Sequence, residues 1–333
     1  MKAYLQKLFK SQDLTCDEAE AATGLIMQGK VSVEETAGFL GALAGKGETV
    51  DEIVGCAKSL RAHALPLQPK RQDLIDVCGT GGDGAETFNV STCNALVLAA
   101  AGLGVCKHGN RAVSSRCGSA DVLEALGVVI DLPTERAAAA IDSCGFAFLF
   151  APHYHPAMKY VGPVRRALGV RTVFNLLGPL ANPAPVKQQV LGVFDPDLVP
   201  MMAEALQKLG SESALVVCGD GGLDELSLSG PSRVSRIKSG RMEHFTLSPE
   251  DFGLPRAPLE TLKGGDKEAN ARIVEAILRG ERSPRRDIVV MNAGAALVIS
   301  GHAQSWREGA EKIAAVIDSG RAFETLEKIR AFV

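Results

Sequence analysis

Short apolar runs that stop at glycine-rich polar loops recur along this sequence, with helical stretches between them, and few folds accommodate such a pattern. Asp73 to Cys78 (DLIDVC) ends in glycines, and Val90 to Leu103 is a long Ala/Leu helix. Val105-Cys106 leads into another polar glycine loop, and Ala120 to Leu126 resumes helix. Phe146 to Ala151, Gln189 to Phe194 and Ala214 to Cys218 read as further buried strands. Strands alternating with helices predict an α/β fold whose mainly parallel central sheet is covered by helices. Arg233 to Phe245 differs: two polar-alternating runs flank Ser239-Gly240 and predict a hairpin, while the chain from Asp287 onward is helical and alanine-rich.

The first 65 residues carry another signature. Thr15-x-x-Glu18, Ser32-x-x-Glu35 and Thr49-x-x-Glu52 each precede an apolar-periodic stretch. In each box the hydroxyl caps an early backbone N–H and the glutamate reaches back to the cap residue. Three boxes predict at least three short helices after an opening one near residues 2–10, with Gly29, Gly45 and Gly47 as helix terminators. His63 to Lys70, with two prolines, reads as a linker. The expected organisation is a small helical domain over 1–70 and a larger α/β domain over 71–333.

Composition narrows the function. The 333 residues hold 36 Lys+Arg against 39 Asp+Glu, a net charge of −3, which supplies no overall drive toward nucleic acid. The longest apolar run, Ala95 to Cys106, falls short of the roughly 20 residues that span a bilayer. The opening MKAYLQKLFKSQD has no apolar core of a secretory signal, so the expected location is cytoplasmic. None of the eight cysteines forms a C-x-x-C pair, and His153 and His155 have no further metal ligand at suitable spacing. Reduced thiols and no zinc site are expected.

Three polar loops and one acidic pair carry the chemistry. Gly79 to Gly84 (GTGGDG) follows a predicted strand and satisfies G-x-G-x-x-G. A dinucleotide site would want an acidic residue about 20 positions on, and Ala100 to Gly104 holds none; the P-loop pattern fails as well. What remains is a set of backbone N–H groups able to approach an anion closely. Asn89-Val90-Ser91-Thr92 sits where the long helix begins, so hydroxyls and exposed N–H groups meet the positive end of its dipole. Lys107 to Asp121 (KHGNRAVSSRCGSAD) mixes cations, an amide and hydroxyls in a third loop. Loops after parallel strands share one sheet edge, so two anion cradles there suggest a substrate with phosphates at two ends. Asp224-Glu225, next to Gly221-Gly222 after an apolar strand, suits Mg²⁺ shared with substrate phosphates. Arg165, on a predicted helix, is placed either to grip a carboxylate or to lie on a helix surface, and physics alone leaves both open.

GTGGDG, NVST, KHGNRAVSSRCGSADVLEALG, FAPHYHPAMKYVGPVRRALGVRTVFNLLGPLANP and GLDEL, in that order behind a helical N-terminus, resemble the anthranilate phosphoribosyltransferase family, whose fold is shared with pyrimidine nucleoside phosphorylases. The resemblance implies transfer of the phosphoribosyl group of 5-phosphoribosyl 1-diphosphate (PRPP) to the amino group of anthranilate, a step of tryptophan biosynthesis. It implies PRPP binding by Gly79, Gly82, Asp83, Thr87, Asn89, Val90, Ser91, Thr92, Lys107, His108, Gly109, Asn110, Arg111, Ala112, Val113, Ser114, Ser115 and Ser119. The anthranilate side maps to Gly79, Asn110 and Arg165, with His108 as a wall. Ser91, Asp224 and Glu225 become Mg²⁺ ligands, with two ions per active site and no general base. A homodimer formed through the helical domain is also implied, that domain being joined by a segment around 165–185. Cys117 departs from the pattern, placing an oxidisable thiol near the substrate.

Two other readings fit parts of the sequence. A pyrimidine nucleoside phosphorylase would share the fold, but it takes one inorganic phosphate and needs no Mg²⁺ platform. A non-catalytic, nucleic-acid-binding relative would show degraded metal ligands and a basic stripe, whereas Asp224-Glu225 is intact.

Overall fold

The computed structural model describes residues 1–112 and 116–332. Local chemistry builds its N-terminal helices, α1 (Lys2–Leu8), α2 (Cys16–Met27), α3 (Val33–Lys46) and α4 (Val50–Ala62). The last three open on the expected boxes: Thr15, Ser32 and Thr49 accept the N–H groups of Glu18, Glu35 and Glu52 at 3.2, 3.2 and 3.3 Å. Each glutamate accepts the cap residue's N–H in return, so two orphan donors are satisfied at each helix start. Glu52 does more. Fully buried, it also accepts the Leu14 N–H at 3.0 Å and the Lys46 ammonium at 3.0 Å, tying three segments together. Gly47 turns the chain after α3 with φ +89°, a conformation that favours glycine; Gly45, expected to share that task, lies inside the helix.

The rest of the chain runs β1 (Leu74–Gly79), α5 (Val90–Ala100), β2 (Gly104–Gly109), α6 (Ser119–Ala125), α7 (Thr134–Cys144), β3 (Phe146–Phe150), the short helices α8 (Ala151–Tyr154), α9 (Gly162–Leu168) and α10 (Phe174–Leu177), then β4 (Gln188–Gly192), α11 (Leu198–Lys208) and β5 (Ser213–Cys218). The expected hairpin follows as β6 (Ser232–Lys238) and β7 (Arg241–Leu247), and α12 (Lys267–Leu278), α13 (Pro284–Ile299), α14 (Trp306–Asp318) and α15 (Arg321–Ala331) complete it. Two local expectations shift. The long helix stops at Ala100, three residues early, ahead of Gly102 at φ +104°. Lys107, His108 and Gly109, read as loop because they are polar, are the end of β2.

Among the described residues the sheet has seven strands in the order β3-β2-β1-β4-β5-β6-β7. The first five are parallel, and β6 and β7 are antiparallel. Strand order reverses between β1 and β4, and a crevice outside the carboxyl ends of strands at such a point is where open α/β sheets take ligands. One core lies between the sheet and α5 with α13–α15. A second joins the opposite sheet face and α11 to the N-terminal helices and to residues 157–181. Among the described residues no helix is long and apolar enough to cross a membrane.

Candidate active site

Two glycines face each other at the reversal point. Gly79 ends β1 in register with Gly192 at the end of β4. The chain at Asp224 crosses directly over both. A Cβ on Gly192 would stand 1.5 Å from the Asp224 carbonyl oxygen, and one on Gly79 would stand 2.1 Å from Asp224 Oδ2. Only glycine leaves this space, so the paired glycines seat an acidic residue on the sheet edge. The following loop closes onto that carboxylate: the Gly81 N–H donates to Asp224 Oδ2 at 2.7 Å, and the Thr80 N–H donates to the Gly192 carbonyl at 2.9 Å. Gly81 and Gly82 have φ +67° and +77°, a conformation that turns successive N–H groups toward one side as an anion cradle. Asp83 accepts the Ala85 N–H at 3.2 Å.

A buried cation lies beneath. Lys107, 2% exposed, donates to the Val77 carbonyl at 2.7 Å and the Ser91 hydroxyl at 3.2 Å. Burial and the nearby Asp83 carboxylate push the Asp224 carboxyl up to about 7. Burial and Asp224 hold Glu225 well above the usual carboxylate range, while Lys107 pulls both the other way. Crowded, desolvated carboxylates short of positive charge are what a bound cation would relieve. The donors are oxygens only, from Ser91, Asp224, Glu225 and the neighbouring Asp83, which suits a hard ion such as Mg²⁺. Among the described residues no three His, Cys, Asp or Glu side chains form a ready metal cage.

The remaining predicted residues divide. Asn89, at the start of α5, donates to the Cys117 carbonyl at 3.0 Å and accepts from Asn270 of α12 at 2.9 Å, so it joins the chain ahead of α6 to α12 instead of capping its own helix. Thr87 pairs with Lys263 in an isolated bridge. The Val90 side chain belongs to the core, and Thr92 Oγ1 is buried without a partner among the described residues. Ser119 opens α6 against Gly109, where a Cβ would stand 3.2 Å from that of Ser119. Asn110 Oδ1 accepts the Arg111 N–H at 2.8 Å. Arg111 itself turns outward to Glu124 at 2.5 and 2.7 Å and to Asp121 at 3.2 Å, and the Ala112 N–H goes to Asp121 at 2.9 Å. Val113, Ser114 and Ser115 lie outside the described residues. Cys117 is buried and its thiol is pushed up to about 11 by desolvation, which opposes the thiolate that oxidation needs.

His108 and Arg165, expected on the anthranilate side, lie at the end of β2 and in the segment after β3. Arg165 on α9 is half-buried, its guanidinium carbon 5.8 Å from the Phe174 ring centroid, and it has no carboxylate partner among the described residues. His108 is buried, and desolvation with the nearby His155 lowers it to about 3, so it is neutral at pH 7. Its Nδ1 lies 3.2 Å from the Gly178 carbonyl, which only accepts, so the proton sits on Nδ1 and the buried Nε2 keeps a lone pair. Sequence reasoning missed what anchors this segment. Asn182 donates to Asp76 and to the Cys106 carbonyl, both at 2.8 Å, and Gln189 donates to the Pro179 carbonyl at 2.7 Å. Gly192 was also missed, although a glycine inside a buried strand pattern signals close approach of another backbone.

Fold and site define a class. Residues 71–323 match the family model described as the glycosyl transferase family a/b domain, and residues 2–64 match that of its helical bundle domain. An anthranilate phosphoribosyltransferase of Symbiobacterium thermophilum is 50% identical over 332 residues, covering 100% of this chain and 97% of the relative. The crystal structure of the enzyme of that name from Thermus thermophilus superposes with a TM-score of 0.94 at 48% identity, covering 99% of this chain and 98% of the other. A Saccharomyces cerevisiae anthranilate phosphoribosyltransferase solved in complex with PRPP and Mg gives 0.91 at 31% identity, covering 99% and 98%. The chain belongs to the anthranilate phosphoribosyltransferase family.

Proposed function

We propose that this protein transfers the phosphoribosyl group of PRPP to the amino group of anthranilate, releasing diphosphate. The observation that carries the reading is Asp224, seated by Gly79 and Gly192 over the reversal of strand order, with the Gly81-Gly82 cradle and buried Lys107 beside it. The bond from ribose C1 to the diphosphate oxygen breaks while the bond from C1 to the anthranilate nitrogen forms, and that nitrogen then loses a proton. Positive charge grows on the sugar and negative charge on the leaving group. Mg²⁺, two ions in this reading, neutralises the diphosphate when bound. Ser91, Asp224 and Glu225 would hold it, and Lys107 draws the two carboxyls toward their charged form against burial. The cradle N–H groups and the start of α5 bind phosphate oxygens without reorganising during the reaction. Arg165 grips the anthranilate carboxylate, and neutral His108 walls the ring. The aromatic amine is already uncharged near pH 7, so positioning replaces a strong general base.

The same reading makes the protein a cytoplasmic homodimer that associates through a helical domain over 1–70, completed by the segment around 165–185, with the substrates bound by 71–333. Loss of anthranilate fluorescence on mixing with PRPP tests the activity. Rapid loss with Mg²⁺ and none without it is the expected result; no loss in folded protein rejects anthranilate as acceptor.

A further inference from the structure

Arg171 belongs to none of the groups described so far. It lies between α9 and α10 and reaches back across the site. Its Nη2 donates to the Gly82 carbonyl at 2.8 Å, and its guanidinium carbon sits 3.8 Å from the centroid of the Phe194 ring, just beyond β4. Among the described residues the Gly-rich turn is also tied from Thr80 to Gly192, from Gly81 to Asp224 and from Ala85 to Asp83. The Gly81 tie uses an N–H that an anion would recruit and a carboxylate that a cation would recruit, so arrival of a phosphorylated substrate with its metal competes for both ends. The Arg171 tie uses a carbonyl, which neither phosphate nor carboxylate seeks. With φ positive at both Gly81 and Gly82, nothing in the turn's own backbone favours this shape strongly over others. An aromatic face beneath the guanidinium limits the rotamers the side chain must give up to make its hydrogen bond.

We propose that Arg171 is a positioning residue that holds the Gly81-Gly82 turn in its donor-binding shape by bonding the Gly82 carbonyl while stacked on Phe194. This rests on the reading of the site as a PRPP site, and the test separates the two. In full-length protein without substrate, Arg171→Ala should speed amide hydrogen exchange of Gly81 to Ala85 by about tenfold, as expected for loss of one charge-assisted hydrogen bond, and leave the Gly221-Gly222 loop unchanged. In the steady state it should raise the KM for PRPP by about tenfold with kcat within about threefold, because the tie acts equally on ground and transition states. Arg171→Lys keeps a donor and should recover part of the KM. Phe194→Leu, which removes the stacking face, should reproduce part of the effect and stands in if the alanine variant does not fold. Wild-type exchange rates and an unchanged KM for PRPP in Arg171→Ala would overturn the proposal, as would a lowered Tm alone that lysine does not rescue. Absence of PRPP turnover in the wild type would instead reject the proposed function, while the exchange measurement still decides whether Arg171 holds the turn.

Discussion

Replacing Asp224 by asparagine should make the protein more stable and nearly inactive. The carboxyl sits at about 7 instead of its usual 3.8, because burial and Asp83 disfavour its charge. A carboxyl raised on folding contributes stability that is fully present below the unfolded value and is lost as pH rises through the folded value. The loss therefore develops between about pH 4 and 7 and is complete at pH 8. A shift of this size corresponds to about 4 kcal/mol at ~1.4 kcal/mol per pH unit. Asp224 is only half-buried and shares its field with Asp83, which brings the expected gain down to about 2 kcal/mol. Asparagine preserves the shape: one oxygen still accepts from Gly81, and the amide can donate toward Asp83. For a chain of this length about 2 kcal/mol is about 3 °C in Tm. Thermal unfolding at pH 4 and pH 8 without divalent ions should show the variant level with wild type at pH 4 and about 3 °C above it at pH 8. Adding Mg²⁺ with PRPP should stabilise wild type and leave the variant unmoved, and turnover should fall at least about 100-fold. A variant that melts with or below wild type at pH 8 would show that Asp224 is not a desolvated charge waiting for a cation.

Alanine at the two facing glycines should separate stability from activity. Gly192→Ala collides with backbone at Asp224 and should cost about 3 kcal/mol in urea unfolding, whereas Gly79→Ala meets the movable end of the side chain and should cost nearer about 1 kcal/mol while still abolishing Mg²⁺-dependent turnover. Lys107→Met removes the donor to Val77 and the charge facing two carboxylates. It should lose about 3 kcal/mol, more at pH 8 than at pH 6 because the carboxyls are then raised further; equal losses at both pH values would deny that coupling. Arg165→Ala should leave Tm unchanged within about 1 °C and raise the KM for anthranilate about 100-fold, the worth of a charge-assisted carboxylate grip; an unaltered KM would remove Arg165 from the acceptor site.

Legibility in the sequence depended on whether a residue's partner is near in the chain. Thr15, Ser32 and Thr49 meet their glutamates three residues away, so their helices are legible, as are strands whose apolar runs end in glycine. Gly45 misleads because glycine terminates a helix only where φ turns positive, and that occurs at Gly47. Lys107 reads as loop because a lysine at a buried strand end makes sense only once the Val77 carbonyl and Ser91, 30 and 16 residues away, are known to meet it. Asp76 with Asn182, and Gly82 with Arg171, are 106 and 89 residues apart and have no local signature. Sequence reasoning missed α12 as well, although Asp266 caps it by accepting the Ala269 N–H at 2.8 Å. The acidic pair Asp224-Glu225 is legible; Gly192, which makes room for it, gives only the general signal of a glycine in a strand, without naming the Asp224 chain, 32 residues on, that crosses it.

The second apolar core has a consequence for anyone who divides this protein. Family boundaries fall in the proline-bearing linker, between residues 64 and 71. Phe39, Leu40 and Ile53, however, share one apolar core with Val161, Val164, Phe174 and Leu177, and with Met202 and Leu206 of α11. A cut at the linker would strip both pieces of apolar cover, leaving two sticky fragments where the sequence suggests two separable modules. The unit of inheritance and the unit of cooperative unfolding are drawn along different lines here, and the second crosses the linker.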